Sequence, residues 1–324
     1  MLKKNLMLRD KVLGGLLGLC IGDALGVPVE GVNRAYLMKN PIQDMMGYRT
    51  YNLPPGTWSD DSSLALCLAQ SLCETKNVNY HDIAEKFLKW LYEGYWTPFG
   101  TAFGIGHTTK TALERIKNGM DPLKAGPDDE YSNGNGSLMR ILPLAYYLFG
   151  KSQEEQFETT HNVSRITHGH IRAQISCGIF IQFALNLLHG YSLNLSYENT
   201  RKTAYSYYSR PPYANEINHF ERILIKKINE VPPEHINSDG YVVHTLESSL
   251  WCLLNTSSFK DAVLAAVNLG YDSDTTGAVT GALAGLHYGF KSIPEKWIKT
   301  MARAGEIIEV CESLYESFLK YYCL

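Results

Sequence analysis

In the stretch Leu269–Gly289, LGYDSDTTGAVTGALAGLHYG, the side chains of Asp272, Asp274 and Thr275 offer hard oxygen atoms where an apolar run turns into a helical pattern. Oxygen donors held at the mouth of a helix can ligate a metal ion. They also have an architectural explanation, since Asp and Thr favour N-caps and acids interact well with the helix dipole. Both readings stand on this stretch alone. A calcium loop of the EF-hand kind does not, because Asp272, Asp274 and Gly277 imitate its first half while Leu283 occupies the place of its closing Glu.

A second acidic pair lies in Ser59-Asp60-Asp61-Ser62. Leu64, Ala65, Leu68, Ala69 and Leu72 follow at helical spacing, which predicts Ser59 as N-cap and both aspartates in the first turn. The dipole accounts for such acids, and two carboxylates projecting from a rigid helix end are also what a metal site needs. Glu30 is a lone acid in the apolar turn Val27–Gly31. Ser132–Arg140, rich in glycine and serine and opening an apolar helix, exposes backbone N–H groups suited to phosphate, as a plain turn also does. His161, His168 and His170 cluster before a helix over Ile171–His189. A zinc site there lacks a visible fourth ligand, and His168 reads better as a hydrogen-bonding residue beside a ligand.

These residues need a scaffold, and the glycines say how it is assembled. Gly277, Gly281, Gly285 and Gly289 recur every fourth residue, and Gly14, Gly18, Gly22 and Gly26 do the same. Each set forms one bare stripe on a helix. Glycine within a helix costs up to about 1 kcal/mol against alanine, so two matching stripes predict helices packed backbone to backbone at the centre of the fold.

The rest of the chain reads as helices and loops. His81–Tyr92, Thr108–Asn118, Thr245 onward, Asp261–Asn268 and Trp297–Tyr322 carry helical patterns, and Gly94–Gly106 is a glycine- and aromatic-rich loop suited to a lid. Tyr191–Asp239 reads as a polar surface excursion around one helix near Glu216–Asn229. With no run of strands, residues 1–324 are expected to form one all-α domain.

Composition narrows the function. The net charge of −3 and the absence of a basic block exclude general nucleic-acid or membrane-surface binding through charge. The seven cysteines, Cys20, Cys67, Cys73, Cys177, Cys252, Cys311 and Cys323, include no CxxC pair and read as reduced core residues. Lys3 and Lys4 before the apolar run Val12–Gly22 imitate a signal peptide, yet the run is short for a span of roughly 20 residues and leads into Gly26-Val27-Pro28 without a usual cleavage site. A cytoplasmic protein is expected.

Taken in chain order, Gly22-Asp23-Ala24-Leu25-Gly26 with Glu30, Ser59-Asp60-Asp61-Ser62, Gly134-Asn135-Gly136-Ser137-Leu138-Met139-Arg140, Thr167-His168 and Asp272-Ser273-Asp274-Thr275-Thr276-Gly277 resemble the ADP-ribosylglycohydrolase family over almost the whole chain. The resemblance implies a single-domain orthogonal helical bundle with a central dinuclear magnesium or manganese site. It implies an enzyme that hydrolyses the bond between ADP-ribose and a protein or small-molecule acceptor. Ser59, Asp60, Asp61, Asp272, Asp274 and Thr275 would be metal ligands, with Glu30 reaching the same site. Ser132, Asn135, Gly136 and Met139 would line the diphosphate and ribose, and His168 would add a contact. Glu30 is the candidate for activating water, with Asp60 and Asp61 as competitors.

Two departures stand out. Many members carry Phe-Asp-Ile-Gly where this chain has Phe103-Gly104-Ile105-Gly106, so the resemblance does not carry arginine specificity over to it. Ser59 replaces a usual threonine and keeps the oxygen. Two other classes compete: a silent binding or structural protein of the same fold, against which the retained oxygen ligands argue, and a metal-dependent nucleotide phosphoester hydrolase, which product analysis would distinguish. The oligomeric state is not legible.

Overall fold

The computed structural model describes the backbone of residues 2–320 and the side chains of residues 5–320. Among these residues the only β-type pairing is an isolated antiparallel bridge between Gly134 and Tyr241, and the fold is all-α. Helix α1 (Leu2–Gly26) is apolar nearly all round from Val12 onward, as a helix stretch without a solvent face must be, and its residues from Lys11 to Gly26 are buried. The apolar window that imitates a membrane span or signal sequence is wholly inside the protein.

Helix α2 (Asp60–Thr75) starts at Ser59, whose side chain accepts from the Asp61 N–H, and stops at Lys76 in a left-handed conformation. There follow α3 (Tyr80–Glu93), capped by Asn79 and ended by Gly94, α4 (His107–Lys117), α5 (Leu142–Leu148), α6 (Gln153–Arg165), α7 (Ile171–Leu188) and α8 (Leu193–Tyr208). Then come α9 (Val242–Leu254), α10 (Phe259–Val267), α11 (Ser273–Tyr288) and α12 (Ala304–Leu314).

Helices α1 and α11 form the axis, running antiparallel with their glycine stripes in register. Gly14 faces Gly285, Gly18 faces Gly281 and Gly22 faces Gly277, and a Cβ on any of these would strike the opposite backbone. The last step sets Gly26 against the backbone of Asp274, where the Ser273 hydroxyl also donates to the Gly26 carbonyl at 3.0 Å. Helices α7, α9 and α10 pack on α11, and α2 and α12 flank α1. The end of the stripe is thus where three helix termini meet.

Several sequence expectations are corrected. The polar excursion over Tyr191–Asp239 contains α8, sixteen residues long. Its buried stripe is Ser196, Tyr197, Thr200, Ala204 and Tyr208, regular in spacing but built from polar and aromatic residues, so no apolar period betrays it. Glu216–Asn229 is not one helix but short turns, Ile217–Phe220, Glu221–Leu224 and Ile228–Glu230. Trp297–Tyr322 breaks at Arg303, which adopts a positive φ of 48°, and Tyr322 lies outside the described residues. Ser132–Arg140 does not open a helix directly: turns fill it, and α5 begins at Leu142 with Pro143 in its first turn.

The three histidines do not converge either. The ring of His161 is bonded at 2.8 Å to the Tyr208 hydroxyl and at 2.9 Å to that of Tyr213, while His170 caps α7. Cys20, Cys67, Cys177, Cys252 and Cys311 are buried and unpaired and Cys73 is half-buried, whereas Cys323 lies outside the described residues.

Candidate active site

The first residue to place is Asp23, on the last turn of α1. Its carboxylate accepts from the Ser59 N–H at 2.9 Å, the Ser62 N–H at 2.9 Å and the Ser62 hydroxyl at 2.6 Å. A helix start leaves N–H groups unpaired, and here an acid from another helix takes two of them. Asp60 and Asp61, in the first turn of α2, are therefore not needed as caps. The Asp61 Oδ2 accepts from the Ser59 hydroxyl at 2.9 Å and from the Thr275 hydroxyl at 3.4 Å, while its Oδ1 is buried with no hydrogen-bond partner.

From the other side α11 contributes its own start. Asp272 is the N-cap by position but its side chain makes no cap bond; its Oδ2 accepts from the Asn135 amide at 2.6 Å. Asn135 also donates to the Thr245 hydroxyl at 2.8 Å, which fixes the amide between α9 and α11. Asp274 lies two residues on, in the first turn of α11, and Glu30 comes from the turn after α1. Glu30, Asp60, Asp61, Asp272 and Asp274 line one cleft of about 250 Å³.

That concentration of acid has an electrostatic consequence. Burial, reinforced by the neighbouring carboxylates, pushes Asp60, Asp61 and Asp274 well above the usual carboxylate range. Glu30 is raised by burial and by the charge of Asp272. Burial lifts Asp23 to about 6 in spite of its hydrogen bonds from Ser62 and Ser59. Such a cluster either holds protons or surrounds cations.

Asp23, Asp61 and Asp274 each bring an oxygen within 4.8 Å of the other two, so the acids present fit a metal ion. Within that trio Asp23 has its oxygens engaged by α2, and the buried oxygen without a partner is Asp61 Oδ1. Asp23 is better read as the residue that fixes α2.

The opposite wall carries Gly134, Asn135, Gly136, Met139 and His168. His168 is buried, bonded through Nδ1 to the Thr167 hydroxyl at 2.8 Å, and kept neutral, at about 3, by burial and the Arg140 charge. A Cβ on Gly136 would lie 2.9 Å from the ring, so the glycine lets the turn reach the histidine. Ser132 and Ser59 are not brought to the cleft wall: Ser132 bonds Asp129 at 2.7 Å, and Ser59 stands behind Asp61.

Part of the lining lay outside the expected site residues, although Phe103-Gly104-Ile105-Gly106 stood out in the sequence as a departure from the family's Phe-Asp-Ile-Gly. Gly104, Gly106, His107, Thr108 and Thr109, at the end of the glycine-rich loop and the start of α4, and Gly240 complete the cleft. Gly104 has φ +83°, and a Cβ there would meet Asp60 Oδ1 at 2.5 Å. The signal for this segment was the glycine at 104 itself, which is required for close approach to an acid.

Fold and site together define an all-helical protein with a carboxylate-lined cleft where helix ends converge, the arrangement of a hydrolase that manages a charged substrate. The chain belongs to the ADP-ribosylglycohydrolase family, whose model matches residues 4–322. Its reaction is hydrolysis of the glycosidic bond that holds ADP-ribose to an acceptor. It is 34% identical over 307 residues to the ADP-ribosylarginine hydrolase Tri1 of Serratia proteamaculans (strain 568), covering 94% of this chain and 79% of that one. It is 28% identical over 294 residues to the ADP-ribosyl-[dinitrogen reductase] glycohydrolase of Rhodospirillum rubrum, covering 90% of each. A solved ADP-ribosylglycohydrolase-related protein complex superposes with a TM-score of 0.79 at 31% identity, covering 96% of this chain and 99% of that one.

Proposed function

We propose that the protein is a cytoplasmic, divalent-cation-dependent hydrolase that releases ADP-ribose from arginine-linked conjugates. The observation that carries the cation dependence is the unpartnered, buried Asp61 Oδ1 among four further carboxylates. Asp60, Asp61, Asp272, Asp274 and Thr275, with Ser59 behind them, would hold two magnesium or manganese ions, since all-oxygen donors suit these metals. When bound, such ions orient the ribose hydroxyls and a water and lower that water's pKa.

The chain's own residues account for the remaining work. Glu30, whose proton affinity burial raises above that of a free glutamate, accepts a proton from water as the water oxygen bonds to the anomeric carbon. The bond to the acceptor breaks through an oxocarbenium-like transition state, its electron pair leaves with the acceptor nitrogen, and the proton follows to that nitrogen. Asp60 and Asp61 compete for the base role. Gly136, Met139 and His168, with Asn135 anchoring Asp272, support the ribose and diphosphate.

Arginine as acceptor is supported by the names of two relatives, 34% and 31% identical, both ADP-ribosylarginine hydrolases. Gly104 supplies no carboxylate where many members carry an aspartate, so the guanidinium would be met by acids already in the cleft, Glu30 among them. The test is ADP-ribose release from arginine-, serine- and acetyl-linked conjugates with magnesium, manganese or EDTA. Cation-dependent release from the arginine conjugate is expected. Release from serine or acetyl conjugates alone overturns the acceptor, and undiminished release in EDTA overturns the cation dependence.

A further inference from the structure

We propose that Tyr51, outside every sequence motif of the site, is a positioning residue that holds Glu30 in its working orientation; this rests on the hydrolase reading above. The Tyr51 hydroxyl donates to Glu30 Oε2 at 2.5 Å. Glu30 stands beside Asp272, whose charge disfavours its ionised form, and shares a hydrogen bond with Asp274, so the neutral Tyr51 hydroxyl is a donor that favours the carboxylate form and fixes a half-buried side chain among acids.

The turn that presents Tyr51 is built for the purpose. Thr50 bonds through its N–H to the Pro28 carbonyl at 3.1 Å and through its hydroxyl to the Glu30 carbonyl at 3.0 Å. The same turn therefore grips Glu30 by main chain and by carboxylate. Tyr48 and Asn52, on either side, both have positive φ, 59° and 52°, and the turn is closed by the bond from Tyr48 N–H to the Leu53 carbonyl at 2.7 Å. Two non-glycine residues in the left-handed region within five positions mark a backbone held against its preference, a condition that clusters at functional sites.

The ring of Tyr51 is itself held. Its centroid lies 5.1 Å from that of Phe103 at an angle of 54°, and Phe103 precedes Gly104, which abuts Asp60. A continuous path of Glu30, Tyr51, Phe103 and the 104 backbone thus links Glu30 to Asp60, two of the three acids that compete to activate water. Neither Tyr51 nor Phe103 lines the cleft. Tyr51 acts through Glu30.

The experiment measures kcat and KM for ADP-ribose release by the full chain with manganese, for wild type, Tyr51→Phe, Glu30→Gln and the double variant, with manganese affinity by calorimetry and the thermal midpoint. Tyr51→Phe keeps the ring on Phe103 and removes only the donor. Its expected result is a kcat lower by about 10–100-fold, with KM and manganese affinity within about twofold of wild type. In the Glu30→Gln background the second substitution should lower kcat no further. A Tyr51→Phe kcat within about twofold of wild type, a change in KM alone, or full additivity in the double variant overturns the proposal. Wild type that releases no ADP-ribose overturns the hydrolase reading, and this one with it.

Discussion

Asp61 shows how one side chain serves two masters. One oxygen is tied to Ser59 and Thr275, and the other is buried with nothing to bond. Without a cation the cluster is a source of instability, since buried like charges disfavour one another. Replacing Asp60 or Asp274 by Asn should therefore raise the thermal midpoint measured in EDTA. The same variants should lose the stabilisation that manganese gives wild type and at least about 100-fold of turnover, the upper end of what outer-shell changes cost. A variant that is destabilised in EDTA would contradict the charge-repulsion account. Asn135→Ala, which releases Asp272, should weaken manganese binding by roughly 10–100-fold in calorimetry. The acids and Asn135 were legible as a set from the sequence. The anchoring roles were not, because the residues that take them, Asp23 for Ser59 and Thr245 for Asn135, are remote in the chain.

At the scale of elements, the decisive contact is α1 on α11. Because the two backbones touch along the glycine stripes, the end of α1 with Asp23 and the start of α11 with Asp274 are brought to one point. Gly22→Ala or Gly277→Ala gains up to about 1 kcal/mol of helix propensity but forces a methyl into the opposite backbone. Overpacking of that kind costs about 1–3 kcal/mol. Urea unfolding should show a net loss, and cation affinity should fall with it as the acids move apart. Gly305, in the first turn of α12 with open space at its Cβ position, is the control, and Gly305→Ala should leave stability unchanged or higher. The pairing of the stripes was readable from their common step of four. Helix α8 was not, since its inward face is serine, threonine and tyrosine rather than leucine.

For the whole molecule, the raised acids couple stability to pH and to cations. A carboxyl whose folded pKa lies above its unfolded value binds protons preferentially in the native state, so its contribution is present at low pH and lost as pH rises. Here the loss begins above the unfolded value of roughly 3.9 and passes through about 6 for Asp23, with Asp60, Asp61 and Asp274, also raised by burial and neighbouring acids, contributing in the same direction. Cations that take the place of protons reverse it. The gap in thermal midpoint between manganese and EDTA should widen between pH 5.5 and 7.5, as measured by differential scanning fluorimetry. A gap independent of pH would show that the acids do not bind manganese.

The sequence by itself determined the class of helix-rich chain, the two glycine stripes, the helix starts at Ser59 and Asp272, and the family, because each is written in residues close together in the chain. The tertiary structure alone decided that Asp23 caps α2, that Ser132 bonds Asp129 rather than lining the cleft, that Gly104 abuts Asp60 and that Tyr51 grips Glu30. Local pattern reports periodicity and caps, which depend on neighbours within a turn or two. Hydrogen bonds between separate segments depend on where the packed backbones bring the chain, and no local pattern records that.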